Sequence, residues 1–214
     1  MKYLNFALLF TISHVLLAED VIYSNTTNDQ GTTLVFNANG LIAAGSAITF
    51  GGTSRFLTSA EFQIYNAALL NEIATPTLSL YNVVGNTLGS LIGAYGLTPA
   101  SQTYLGSTVA TLTFALPYVS VPNDIVWMLS FGNAFSNLGL NYFAGPPTVG
   151  SSSDTQAWWD TGSGPTLTPF PAGGESYYAV FGAEAATPEP STWLMMSAGL
   201  AAVLVRRRAV ASKQ

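Results

Sequence analysis

The stretch TVATLTFALPYVSVPNDIVWMLSF, residues 108–131, decides the fold. Its first part alternates apolar residues with threonine, which predicts a strand with one buried and one exposed face. The apolar face comprises Ala110, Leu112, Phe114 and Leu116, and the polar face Thr111 and Thr113. Its second part, residues 125–131, is apolar on both faces, which predicts a central strand covered on both sides. Trp127 shares a face with Ile125, Leu129 and Phe131, and we expect it in the core.

Further short strands surround this stretch. Alternation recurs at residues 60–65, 77–83 and 177–181, and Gly, Pro, Asn and Ser lie between these segments. No long segment has a helical period, although residues 66–73 could hold a turn of helix. Regular short strands predict an all-β fold, a single antiparallel β-sandwich or jelly roll, over residues 19–186.

The composition excludes several function classes. Only 8% of the residues are charged, 49% are hydrophobic, and the 214-residue chain has no cysteine. Disulfide scaffolds and cysteine zinc sites are therefore excluded, and a net charge of -5 argues against a nucleic-acid partner. Residues 19–186 hold ten acidic residues, Arg55 as the one basic residue, and no histidine, because His14 precedes them. Ser-His-Asp and Cys-His catalysis are excluded for that segment.

The first 18 residues have the layout of a secretory signal peptide. Lys2 precedes an apolar run over residues 4–17, and Ala18 is followed by the acidic pair Glu19-Asp20. The apolar run is too short for an ordinary membrane span, and a small residue stands at the expected cleavage position. We predict that residues 1–18 are a signal peptide that directs export of the chain; a buried first helix or an uncleaved anchor is the alternative.

The last segment, residues 187–214, carries three features in a fixed order. Pro188-Glu189-Pro190 is followed by the apolar run Trp193–Val205 and by Arg206-Arg207-Arg208. As a helix the 13-residue run would cover ~20 Å, less than the ~30 Å core of a bilayer. Arginines stay on the cytoplasmic side, so residues 19–186 are expected outside.

This order of features resembles the PEP-CTERM protein-sorting signal. The resemblance implies processing by an exosortase, a membrane cysteine transpeptidase that removes the tail, and a bacterial protein associated with exopolysaccharide or biofilm. It also implies display at the cell surface or in the extracellular matrix, after transient anchoring in the inner membrane by the C-terminal helix. A permanent single-pass anchor is the alternative.

Short phrases within residues 19–186, which we call the body, carry a second resemblance. They are Pro76–Asn82, Thr87–Ser90, Phe114–Pro117 and Val121–Asp124. These phrases are similar to the uncharacterised choice-of-anchor β-sandwich domains that precede several bacterial sorting signals. Since that family has no established activity, the resemblance implies a fold and no chemistry.

Carboxylates are the acid–base groups that the body retains. Paired carboxylates could hydrolyse a glycoside, and the candidates are Glu61, Glu72, Glu175 and Glu184. The phrase Asp160-Thr161-Gly162-Ser163 matches an aspartic-protease motif, but it occurs once, and a turn after the preceding strand explains it better.

Two kinds of binding site are weaker candidates. Loop carboxylates could bind Ca²⁺. The candidates are Asp154 and Asp160, and Asp20, Asp29 and Asp124 are also available. Trp158, Trp159 and Tyr142, with Tyr104, could form a platform on which sugar rings stack. Adjacent Trp158 and Trp159 must point to opposite faces of a strand, so packing of one against the core is expected.

These observations predict a non-enzymatic surface or matrix protein with a structural or binding role and no cofactor. A secreted carbohydrate-binding protein or a carboxylate-based glycoside hydrolase is the alternative. Low charge also removes one guard against strand-to-strand association, so self-association is a further expectation.

Overall fold

Alternating apolar and hydroxyl side chains over residues 109–120 form the twelve-residue strand β9 (Val109–Ser120). The computed structural model describes residues 19–85, 87–132, 136–152, 156–170 and 175–184. For residue 175 it describes the backbone alone. In this structure β9 belongs to the first of two large antiparallel sheets. The seven strands of this sheet are β1 (Glu19–Asn25), β2 (Asp29–Val35), β4 (Phe56–Asn66), β9, β11 (Leu138–Ala144), β15 (Glu175–Tyr177) and β16 (Ala179–Glu184).

The second sheet is built around the doubly apolar stretch, which forms β10 (Asp124–Ser130). β10 lies between β3 (Ala43–Thr49) and β6 (Thr77–Val84), so the prediction of a central strand is confirmed. The other strands of this sheet are β3, β6, β7 (Thr87–Gly96), β12 (Ser151–Ser152), β13 (Gln156–Asp160) and β14 (Thr166–Pro169). A third, two-stranded sheet pairs β5 (Glu72–Ala74) with β8 (Gln102–Tyr104).

The two large sheets face each other across one core. Phe62 of β4 and Trp127 of β10 meet between them, with ring centroids 4.7 Å apart. Trp127 also contacts Tyr177 at 5.8 Å and is 1% exposed, which confirms its predicted place in the core. The described chain is therefore an antiparallel β-sandwich, as the alternation predicts.

The outer face of the second sheet carries its own apolar cluster. Val126, Met128 and Trp158 are buried there, with Tyr81 and Val83 packed against them. Since side chains alternate along a strand, Val126 and Met128 point away from the face that Trp127 occupies. Both faces of β10 are therefore covered.

The first and last strands of the described body lie side by side. β1 pairs with β16 in antiparallel register, and Glu19 lies opposite Glu184. Both residues are near the start of β4, because Ala183 pairs with Leu57. The far end of β4 carries a loop in which Leu69 and Leu70 are 90% and 79% exposed.

The predicted turn of helix at residues 66–73 is wrong. That segment contains bends followed by β5, because the Asn66 side chain donates to the carbonyls of Leu70 and Tyr104 and accepts from the Ala68 amide. The structure instead has a short helix, α1 (Phe36–Asn39). It ends at Gly40, whose φ of 64° is the left-handed conformation that glycine adopts without strain.

Two predicted segments, residues 1–18 and 187–214, lie outside the described residues. Within the described ranges, no helix has the length and apolar character needed to cross a bilayer. The domain boundaries at residues 18 and 186 stay predictions.

Candidate functional site

The aromatic residues proposed as a glycan platform lie mostly inside the protein. Trp158 and Tyr142 are each 6% exposed, and Tyr104 is 4% exposed. Trp159 is half-buried against the main core, whereas Trp158 belongs to the outer cluster, so their predicted opposite orientations are confirmed. A sugar could stack on Trp158 or Tyr142 only after a local rearrangement, and the platform stays an untested prediction.

The rings of Tyr142 and Trp159 converge on Tyr177. Tyr142 stacks on Tyr177 with centroids 5.5 Å apart, and the indole Nε1 of Trp159 donates to the Tyr177 hydroxyl at 3.0 Å. These contacts join both sheets, since Tyr177 is on β15 and Trp159 on β13. In this arrangement the rings contribute to packing.

Among the predicted glutamates, Glu61 and Glu72 each have hydrogen-bond donors. The Tyr178 hydroxyl donates to Glu61 Oε1 at 2.5 Å, and burial together with this carboxylate raises the pKa of Tyr178 to about 12. Glu72 accepts from the Ser136 hydroxyl at 2.5 Å and from the Asn137 amide at 3.1 Å. These contacts give both side chains a structural use.

For the remaining predicted glutamates, Glu175 and Glu184, the prediction of a catalytic pair stays untested. Glu184 lies opposite Glu19, whose Oε1 accepts from the hydroxyls of Thr58 and Ser59. The side chain of Glu175 is outside the described residues. A glycosidase requires two carboxyl groups facing each other across a substrate, and neither Glu19 nor Glu184 lines the two cavities described below.

Two of the candidate aspartates, Asp160 and Asp124, accept hydrogen bonds from the protein itself. Asp160 Oδ1 accepts from the amides of Gly162 at 2.7 Å and Gly164 at 3.1 Å, which confirms the predicted turn after the strand. Asp124 accepts from the Thr49 hydroxyl at 2.6 Å. Asp154 lies outside the described residues. Across the described ranges, no three His, Cys, Asp or Glu side chains form a group that could hold a metal.

Two open cavities lie on the outer faces of the sheets. The first, of about 560 Å³, is on the second sheet and is bordered by Thr49, Val83, Asp124 and Ser152. The second, of about 330 Å³, is on the first sheet, and we call it the Tyr65 cleft. Its lining includes Asp29, Gly31, Thr33, Tyr65, Val109 and Asn141.

Sequence reasoning places Tyr65 on the polar face of its strand but does not select it as a site residue. An aromatic ring on an outward-facing position, beside Glu61 and Gln63 of the same face, is the signal that could have identified it. Asn141 and Thr33 have no comparable signal, because only the pairing of β2 with β11 brings them together.

The sorting segment follows the last described strand almost directly. β16 ends at Glu184, and Pro188-Glu189-Pro190 begins four residues later. A β-sandwich followed by such a motif, an apolar run and an arginine cluster defines a class of exported proteins that are sorted through their C-terminal segment. The family model described as the PEP-CTERM protein-sorting motif matches residues 186–208, so the chain carries this motif.

The motif match indicates where the protein is sent. The PEP-CTERM motif implies export, sorting to the cell surface and processing by an exosortase. It covers the end of the chain only, so the similarity of the body to choice-of-anchor domains stays a prediction. No curated protein matches the chain.

Proposed function

We propose that this protein is a non-enzymatic component of the bacterial cell surface or extracellular matrix, with a structural or binding role beside exopolysaccharide. The observation that carries the proposal is the PEP-CTERM motif at residues 186–208, placed directly after a β-sandwich. An exported β-sandwich with an acidic, weakly charged sequence needs no cofactor for such a role.

The non-enzymatic part of the proposal is supported by the chemistry of the body. Residues 19–186 contain neither histidine nor cysteine, so an enzyme would have to work with carboxylates. Glu61 and Glu72 are hydrogen-bonded to hydroxyl and amide groups of the protein itself. A purified exported product that releases reducing sugar from polysaccharide, and loses this activity on substitution of a glutamate, would contradict the proposal.

We also propose that the apolar run Trp193–Val205 anchors the precursor in the inner membrane before cleavage. The run is shorter than an ordinary membrane span, and the adjacent arginines could extend their charged ends to the interface. A weak anchor of this kind suits a segment that is removed.

The sorting proposal is tested by the mass of the exported protein. We expect the product recovered outside the cytoplasm to lack Trp193–Gln214, because an exosortase removes the tail. Intact-mass spectrometry of the product from an exosortase-positive host makes the measurement. The Glu189→Ala variant should remain unprocessed, whereas Glu184→Ala, outside the motif, should be processed normally.

Retention of Arg206–Arg208 on the mature product would contradict removal of the tail and support a permanent anchor. Fractionation of the same culture locates the protein. A cleaved product found in the medium alone, and absent from the surface and matrix fractions, would contradict the surface role.

A further inference from the structure

The Tyr65 cleft lies across four neighbouring strands of the first sheet, β2, β11, β4 and β9. Gly139 of β11 pairs with Tyr65 of β4 on one side and with Val35 of β2 on the other. Because Gly139 has no side chain, β11 contributes only backbone at this position. The Leu34 carbonyl and the Thr33 methyl group would collide with a side chain at residue 139, so they fill the space above Gly139. Thr33 therefore forms part of the lining, and the open volume of the cleft is about 330 Å³.

One wall of the cleft is apolar and aromatic. Tyr65 is half-buried, and Val109, its partner across β4 and β9, is 54% exposed. A tyrosine ring held by a sheet offers a rigid apolar face, on which the C–H face of a pyranose can stack.

The opposite wall and the end of the cleft are polar. The Thr33 hydroxyl donates to Asn141 Oδ1 at 3.0 Å, so the threonine holds the amide group in place. Asn141 is 4% exposed and its oxygen is engaged, so it can offer a ligand only its Nδ2 hydrogens, at the bottom of the cleft. Asp29 accepts the Gly31 amide through Oδ1 at 2.8 Å, and its second carboxylate oxygen can accept from a ligand hydroxyl.

The charges of the lining favour a neutral ligand. Asp29 is the only formally charged residue among the lining residues, so an anionic ligand would be repelled. A single carboxylate is also too few for a Ca²⁺ site, which takes 6–8 oxygen ligands. Hydroxyl groups can instead both donate to Asp29 and accept from Asn141.

Polar side chains, of which Glu61 is charged, continue beyond the cleft along the same outer face. Gln63 of β4 lies opposite Thr111 of β9, next to the pair formed by Tyr65 and Val109. Glu61 lies opposite Thr113 one step further, and Thr111 and Thr113 are exposed. A chain of several sugar units could therefore meet amide and hydroxyl groups after leaving the cleft.

We propose that the Tyr65 cleft binds a neutral glycan chain, with one sugar ring stacked on Tyr65 and hydroxyls along the chain bonded to Asn141 and Asp29. This inference rests on the proposed surface role and names the class of ligand for it. The aromatic wall, the fixed amide and the single carboxylate together suit a neutral polyhydroxylated ligand.

The test is binding of the exported, full-length mature product to a printed array of neutral and uronate-containing oligosaccharides. We expect retention on a subset of neutral glycans, at least a tenfold loss for Tyr65→Ala, and less than a threefold loss for Tyr65→Phe, which keeps the ring. Asp29→Asn should weaken retention, because an amide presents an N–H₂ group in place of one acceptor oxygen. Tyr118→Ala removes an exposed tyrosine elsewhere on β9 and should bind like the parent.

Three outcomes would overturn the proposal: no retention of the parent on any neutral glycan, equal retention of Tyr65→Ala, or preferential retention on uronates. Loss of the far-ultraviolet circular dichroism signal would show that Tyr65→Ala does not fold. In that case the binding of Tyr65→Phe and Asp29→Asn decides whether the proposal stands. None of these outcomes affects the mass and fractionation tests above, so the surface role could stand while the glycan site fails.

Discussion

At the scale of single residues, Trp127 joins the two sheets. It is 1% exposed and contacts Phe62 on the opposite sheet. Its indole Nε1 is buried with no hydrogen-bond partner in the described structure. The side chain therefore contributes apolar packing while one polar atom is left unsatisfied, which costs stability.

Truncation of Trp127 should be strongly destabilising. We expect Trp127→Ala to lower the free energy of unfolding by about 3–5 kcal/mol, because a large cavity is left between the sheets. Trp127→Phe should cost less, since it keeps a ring and removes the unsatisfied N–H group. Urea unfolding of the purified protein measures both. Leu69→Ala, at a position 90% exposed, should change stability by less than about 0.5 kcal/mol.

If Trp127→Ala unfolds at the same urea concentration as Leu69→Ala, the core position of Trp127 is contradicted. The core role of Trp127 is readable from the sequence, because three more apolar residues share its face. Burial of Trp158 cannot be predicted from the sequence. Alternation places Trp158 and Trp159 on opposite faces of their strand, but it does not show whether both faces are covered.

Tyr178 makes stability depend on alkaline pH. Burial and the neighbouring Glu61 raise its pKa to about 12, whereas an unfolded tyrosine titrates near ~10. Between these values the native state keeps a proton that the unfolded state loses, so stability falls as pH rises from 10 to 12. Tyr178→Phe should fall less steeply over this window, measured by urea unfolding at several pH values.

The decline should not disappear in that variant, because burial also raises the pKa of Tyr104 and of Tyr23. Tyr118→Phe, at an exposed position, is the control and should decline as steeply as the parent. Equal slopes for Tyr178→Phe and the parent would show that Tyr178 is not the linked group.

At the scale of elements, Asp160 holds the turn that connects β13 to β14. One carboxylate oxygen accepts two backbone amides, those of Gly162 and Gly164. We expect Asp160→Ala to cost about 1–3 kcal/mol, because both amides lose their partner. Asp160→Asn keeps the oxygen acceptor and should cost less. Thermal unfolding followed by circular dichroism makes the comparison.

The same two variants address calcium. If Ca²⁺ raises the melting temperature of the parent but not of Asp160→Asn, Asp160 acts as a ligand as well as a turn residue. If the two substitutions are equally destabilising, the acceptor role of Oδ1 is wrong.

Strands in which apolar and polar residues alternate could be predicted from the sequence. Strands whose residues are determined by pairing with a distant strand could not. β9 and β10 follow from the pattern of residues 108–131 alone. β11 contains Gly139 and Asn141, residue types that favour turns in a sequence. In the structure, a side chain at residue 139 would collide with the carbonyl of Leu34, and Asn141 is bonded to Thr33. Pairing with β2 therefore decides both positions, and it involves residues more than 100 positions away.

At the scale of the whole molecule, the sequence predicts the destination of the protein better than it predicts the Tyr65 cleft. The order of Pro188-Glu189-Pro190, an apolar run and three arginines is local, so it can be read directly. The Tyr65 cleft combines residues of four strands, β2, β4, β9 and β11, and its geometry depends on their registers. A local pattern can be read directly from a sequence, whereas a cleft between strands that are distant in the chain cannot.

The pairing of β1 with β16 sets the order in which the body can fold during export. In the described part of the chain, β1 forms a ladder with β16 alone, and these strands are separated by more than 150 residues. A chain that emerges from its N-terminal end cannot close this ladder until its last strand has appeared. Because the motif match begins at residue 186, directly after β16, the strand that closes this ladder and the sorting motif emerge one directly after the other.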